Sequence, residues 1–169
     1  MRNKYVIRIT TVALLTAIEI ILSRFLGIST PILKISLSFI PLSLIAMMYG
    51  PVYSTAAGAI ADFIGAILFP VGMYFPGYTL TAALTGLTYG VFLHKKEKSW
   101  VNILTAVIIV NILWRLGLNS FWVHMTTGKA VVAIMMPRIV KNLLMIPIET
   151  VVIKLVGEKI LPMTKNLTA

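Results

Sequence analysis

Cysteine is absent, only five residues are acidic, and residues of either charge make up 12% of the 169-residue chain. The first absence excludes disulfides, thiolate metal sites, cysteine nucleophiles and cysteine lipidation. The second excludes an ordinary soluble domain, in which about a quarter of residues are charged and roughly 45–50% are apolar. Catalytic signatures are missing as well. There is no H-E-x-x-H, no paired-carboxylate motif and no Ser/His/Asp arrangement, and the two histidines, His94 and His124, sit in or beside loops. Gly128-Lys129 fails as a phosphate-binding loop, because Val123 stands where the first glycine is needed and Ala130 where Ser or Thr is needed. The pattern predicts no enzyme activity, no metal site and no cofactor.

What is present is apolar surface. Hydrophobic residues make up 59% of the chain, more than one soluble core of this size can hide. Lipid is the expected solvent. A membrane-spanning helix takes about 20 residues, which leaves room for roughly six or seven spans and no sizeable domain outside the bilayer. Six apolar stretches are visible, near residues 5–26, 36–49, 51–69, 79–93, 100–123 and 137–161, separated by Pro, Gly and charged clusters. The expected fold is therefore an all-α integral membrane protein, a compact bundle of six transmembrane helices forming one domain over residues 1–169. The first stretch has the length and the five companions of a retained helix rather than a cleaved signal. Residues 124–136 read as a connection that dips back onto the membrane surface.

Basic residues set the orientation. With the N-terminus inside, Arg2, Lys4, Arg8, Lys95, Lys96, Lys98, Lys159 and Lys165 are cytoplasmic, and Arg24, Lys34 and Lys129 lie in outer loops. Eight against three is a positive-inside bias that places both termini in the cytoplasm. The formal net charge of +10 is then not one basic surface, and nucleic acid is not needed to explain it. Lys154 joins the inner group by position. The remaining six, Arg24, Lys34, Arg115, Lys129, Arg138 and Lys141, fall where topology alone would not put them.

Ionisable groups within a membrane helix are costly unless they face a bundle interior or a wet cavity, so each is a functional candidate. Asp62 lies 11 residues past Pro51, about 16 Å along its helix; Arg115 lies 15 past Trp100, about 22 Å along. Arg115, Asn119 and Trp122, at i, i+4 and i+7, share one face of an α-helix, and Arg138, Lys141 and Asn142 cluster on the sixth. All converge on the outer half. With Met73-Tyr74-Phe75-Pro76 as a lid, the expectation is an outward pocket, cationic, aromatic-walled and holding one carboxylate. That pocket suits an anionic ligand with a flat ring. Plainer readings stand beside it. Arg24, Lys34 and Lys141 are placed to snorkel, Arg115 and Asp62 to pair with each other, and Trp122, Tyr74 and Phe75 to form an interfacial belt. Glu19 and Glu149 read as residues that lock the bundle. Ala13 and Ala17 form a small-xxx-small motif that lets another helix approach, inside the bundle or from outside it.

Taken together, six helices, inward termini, Ala13-xxx-Ala17 and an outward pocket resemble the S components of energy-coupling factor (ECF) vitamin transporters. More narrowly, Leu33-Lys-Ile-Ser-Leu-Ser-Phe-Ile-Pro41, Phe69-Pro-Val-Gly-Met-Tyr-Phe-Pro-Gly-Tyr-Thr-Leu-Thr-Ala-Ala-Leu-Thr-Gly86, Arg115-Leu-Gly-Leu-Asn119 and Pro137-Arg-Ile-Val-Lys-Asn142 are similar to the folate-specific type. The resemblance implies tight binding of folate from outside a bacterial cell membrane. It also implies docking on a membrane scaffold subunit that carries two ATPase subunits, and toppling in the membrane to release the vitamin. It moves Ala13 and Ala17 from internal packing to scaffold contact. For the ligand it suggests Asp62 or Asn142 on the pterin, Tyr74, Phe75 and Trp122 as stacking walls, and Arg24, Arg115 and Arg138 on the glutamate tail, with Asn119 beside them. Two other readings remain open at this point: an S component for a different vitamin, and a non-transporting membrane scaffold for envelope assembly.

Overall fold

The structure is a computed structural model that describes residues 4–29, 34–70, 73–97 and 99–163. Its elements are α1 (Lys4–Arg24), α2 (Phe39–Tyr49), α3 (Pro51–Leu68), α4 (Pro76–Leu93), α5 (Trp100–Thr127) and α6 (Val131–Met163). Between α1 and α2 a two-residue antiparallel ladder pairs β1 (Ile28–Ser29) with β2 (Lys34–Ile35). Arg2, Lys98 and Lys165, which contribute to the inner charge, lie outside the described residues, as do Val71 and Gly72 of the aromatic loop and the side chain of Lys34.

α1, α3 and α5 are each long and apolar enough to cross a membrane. The fold is that of a multi-pass membrane protein. α4 has the length, but its Thr and Gly residues face inward: Thr81, Thr85, Gly86, Thr88, Tyr89 and Gly90 are all buried. At 11 residues, about 16 Å, α2 reaches only halfway across a hydrocarbon core of about 30 Å. Ten of its residues are buried, so it sits apolar all round at the centre of the bundle. Phe39 and Ile45 of α2, Tyr89 and Leu93 of α4, Val107 of α5 and Ile153 of α6 form the core about it.

Small residues bring the helices close. Gly50 adopts φ +88°, which turns the chain from α2 into α3 and leaves Pro51 at the first helical position. Along the α3–α4 seam a Cβ on Gly86 would lie 2.1 Å from the Ser54 carbonyl oxygen, and one on Gly90 would lie 2.2 Å from Pro51 Cα. Ser54 Oγ donates across this seam to the Gly86 carbonyl at 2.7 Å. Backbones packed this tightly replace the hydrophobic drive that lipid does not supply.

Four boundaries differ from expectation, the first being α2, which starts at Phe39 and not near residue 36. α4 begins at Pro76, which opens the helix instead of closing the loop. α5 continues to Thr127 and α6 starts at Val131, so the segment expected to dip onto the membrane is mostly helix. The reversal needs only residues 128–130, with Gly128 at φ +66° and its N–H on the His124 carbonyl. Within α5, residues Val110–Leu118 are π-helical.

Candidate ligand-binding site

A cavity of about 420 Å³ opens at the end of the bundle where α1, α3 and α5 finish and α4 and α6 begin. α1 supplies Glu19, Ser23 and Arg24, and α3 supplies Ala61, Asp62 and Ala66. Met73 and Tyr74 come from the loop before α4; Tyr78, Thr81 and Thr85 come from α4 itself. Arg115 and Asn119 enter from α5, and Arg138, Lys141 and Asn142 from α6. Seven of the nine residues expected at the ligand line this space: Arg24, Asp62, Tyr74, Arg115, Asn119, Arg138 and Asn142.

Phe75 and Trp122 do not. They pack on each other with ring centroids 5.4 Å apart, behind Tyr78, and Trp122 Nε1 donates to Thr81 Oγ1 at 3.2 Å. Gly77 makes room for both rings, since a Cβ there would lie 2.5 Å from Phe75 and 2.6 Å from Trp122. The shared face expected for Arg115, Asn119 and Trp122 assumed an unbroken α-helix. A π turn closes i→i+5 and takes up an extra residue, which rotates the downstream residues by up to about 100°. Asn119 stays on the cavity, and Trp122 is carried off it to brace the lid from behind.

The ion pairs Arg24–Asp62 and Arg115–Glu149 organise the lining, and neither joins Arg115 to Asp62. At the mouth, Arg24 Nη2 lies 3.6 Å from Asp62 Oδ1 and donates to the Asp62 carbonyl at 3.3 Å. Thr79 Oγ1 donates to Asp62 Oδ2 at 3.0 Å and is itself within 3.2 Å of the Tyr74 hydroxyl. The carboxylate is thus tied to both the first helix and the lid.

At the floor, Arg115 Nη1 binds Glu149 Oε1. Glu149 Oε2 accepts from Asn111 Nδ2 at 2.9 Å and from the Tyr89 hydroxyl at 3.3 Å. Bundle-locking is therefore only part of the role of Glu149: its carboxylate is fully buried directly behind an arginine of the cavity.

α6 is joined to the π segment through main-chain carbonyls. Asn142 Nδ2 donates to the Asn111 carbonyl at 3.2 Å, and Arg138 Nη1 to the Arg115 carbonyl and Ser120 Oγ, both at 3.3 Å. Where a helix changes hydrogen-bond register its carbonyls need other donors, and these two side chains supply them. Donating to Asn111 fixes the Asn142 amide, so its Oδ1 is left without a protein donor among the described residues; Asn119 Oδ1 is likewise buried and without one. Both residues line the cavity. Unpaired buried acceptors are costly in a folded protein, and here both belong to residues of the cavity wall.

Ala13 and Ala17 lie elsewhere, exposed on the outward face of α1 with Leu14, Ile18 and Ile21.

The family model for ECF transporter, substrate-specific component, matches residues 7–157. The chain belongs to that family. Among relatives of this substrate-specific component, the folate transporter FolT of Clostridium novyi is 42% identical over 141 residues, covering 83% of this chain and 82% of its own. FolT of Leuconostoc mesenteroides is 39% identical over 143 residues, covering 81% and 77%. A crystal structure of FolT bound with folic acid superposes with a TM-score of 0.86 at 37% identity, over 89% of this chain and 92% of the other.

Sequence reasoning missed Tyr78 and Thr81 on the cavity wall and the roles of Tyr89 and Asn111 beneath it. The one available signal was Glu149: a carboxylate on an apolar helix has to find donors inside the bundle.

Proposed function

We propose that this substrate-specific component binds folate at the cavity and hands it to the cytoplasm as part of an ATP-driven ECF transporter. The observation that carries the reading is the pairing, in one cavity, of two orphaned amide acceptors with a set of cationic donors. A pterin carries N–H donors on its amine and lactam edge, which Asn142 Oδ1 accepts beside Arg115. Its ring oxygen and nitrogens accept from Arg115. The two carboxylates of the glutamate tail suit the cations of α6, Arg138 and Lys141. Tyr74 and Tyr78 offer ring faces. Because Glu149 already neutralises Arg115, the ring falls to Arg115 and the charged tail to α6. A volume of about 420 Å³ falls within the range of roughly 300–1,000 Å³ usual for such ligands. The similarity to FolT proteins and to a folic-acid-bound FolT supports folate over another vitamin or an envelope scaffold.

The same reading sets the protein in a bacterial cell membrane with the cavity outward and both termini inside. It docks through Ala13 and Ala17 on a membrane scaffold subunit with two ATPase subunits, which supply the energy. Titration calorimetry of the detergent-purified protein tests the binding step. Saturable folate binding without ATP, undisturbed by excess thiamin or pantothenate, is expected. No folate heat, or competition by either vitamin, overturns the reading.

A further inference from the structure

At the cavity floor the guanidinium of Arg115 is backed by a fully buried carboxylate. Its side chain is 21% exposed while that of Glu149 is 0% exposed, so the pair has an open face and a closed one. Nη1 carries the inward contacts, to Glu149 Oε1 and to Asn111 Oδ1 at 3.3 Å. Asn111 is thereby held at both ends, its Nδ2 on Glu149 Oε2 and its Oδ1 on Arg115. Tyr89, from α4, completes the carboxylate's set of donors. Three helices meet on one carboxylate, and two of its partners stand four residues apart within the π segment.

We infer that Glu149 is a positioning residue for ligand recognition: it holds Arg115, through the π segment, as a fixed donor of zero net pair charge aimed at the ring end of the ligand. Three physical points support this. A lone arginine at this depth would be drawn to any carboxylate, including the ligand's tail, and would admit the ligand in reverse. Pairing cancels the charge but leaves the outward N–H groups, and neutral acceptors on a ring need donors and no net charge. A long side chain pinned on one edge also loses little further freedom on binding, which favours affinity. The floor of the cavity then offers the ligand donors without net charge, which suits its ring end.

This inference rests on the folate reading, and its test separates the two. Folate and the tail fragment p-aminobenzoylglutamate are titrated against wild type, Glu149→Gln and Tyr89→Phe, with apo melting temperatures recorded. Glu149→Gln is expected to weaken folate at least tenfold while leaving the fragment within twofold. Tyr89→Phe keeps the buried ring, removes one donor from the carboxylate, and is expected to weaken folate two- to fivefold in the same ring-selective way. It decides the matter if Glu149→Gln does not fold. A melting temperature that falls while folate affinity holds, or equal losses for folate and fragment, would show a purely structural residue and overturn the inference. Wild type that binds no folate overturns the underlying reading instead.

Discussion

At the level of single residues, the cavity lining divides into groups already satisfied by the protein and groups left for a ligand. Asn142 belongs to both: its amide nitrogen caps the Asn111 carbonyl, and its oxygen has no donor among the described residues. A hydrogen bond whose loss strands a buried partner costs about 1–3 kcal/mol, and 1.4 kcal/mol is about tenfold in affinity. Asn142→Ala is therefore expected to weaken folate binding about tenfold by calorimetry; unchanged affinity would remove Asn142 from the ligand's contacts. Asp62 carries a different load. It joins Arg24 on α1 to Thr79 at the start of α4, and Asp62→Asn leaves Arg24 buried opposite a neutral amide. A destabilisation of about 1–3 kcal/mol should result, read as a lowered apo melting temperature.

At the level of elements, the helices that face lipid announced themselves and the inward ones did so only partly. α1 and α3 end within two residues of expectation, because their stops are written locally in Gly, Pro and the Gly50-Pro51 turn. α4 and α6 were misjudged at their first residues. Pro76, expected in the loop, opens α4, and Pro137, expected to open the sixth helix, lies six residues inside α6, where neighbouring helices make a missing N–H tolerable. The π register of α5 was illegible for a stronger reason. Its polar groups meet Asn142, Arg138 and Glu149 of α6, partners that reach α5 only in the folded bundle and that no local pattern in residues 110–118 encodes. The polar residues of the site were legible as a set, since charge in an apolar helix is conspicuous; their partners were not. The α3–α4 seam gives the prediction proper to this scale. Gly86→Ala puts a methyl group 2.1 Å from the Ser54 carbonyl oxygen, against rigid backbone. Overpacking of that kind costs about 1–3 kcal/mol, and a lower melting temperature with reduced yield of folded protein is expected.

At the level of the whole molecule, the cavity and the exposed small-residue face of α1 are separate surfaces. The cavity lies at one end of the bundle, and Ala13 and Ala17 lie on the outward flank of α1. Ala13→Trp is accordingly expected to leave folate affinity within twofold of wild type and to abolish folate uptake by cells that also express the scaffold and ATPase subunits. Normal uptake in that variant would remove α1 from the docking surface. Orientation can be read directly, because the chain has no cysteine to interfere. A single cysteine at Met73, on the cavity rim, should react with a membrane-impermeant maleimide added outside intact cells, and one at Lys95 should react only after permeabilisation. The reverse pattern would turn the cavity to the cytoplasm. Beneath these tests lies the claim that the cavity is built for folate. Mass spectrometry of the small molecule that co-purifies with the protein expressed in a folate-containing host tests it most directly. The expected result is folate or a reduced folate in near-stoichiometric amount; a different vitamin at that occupancy, or none after growth with excess folate, would contradict it.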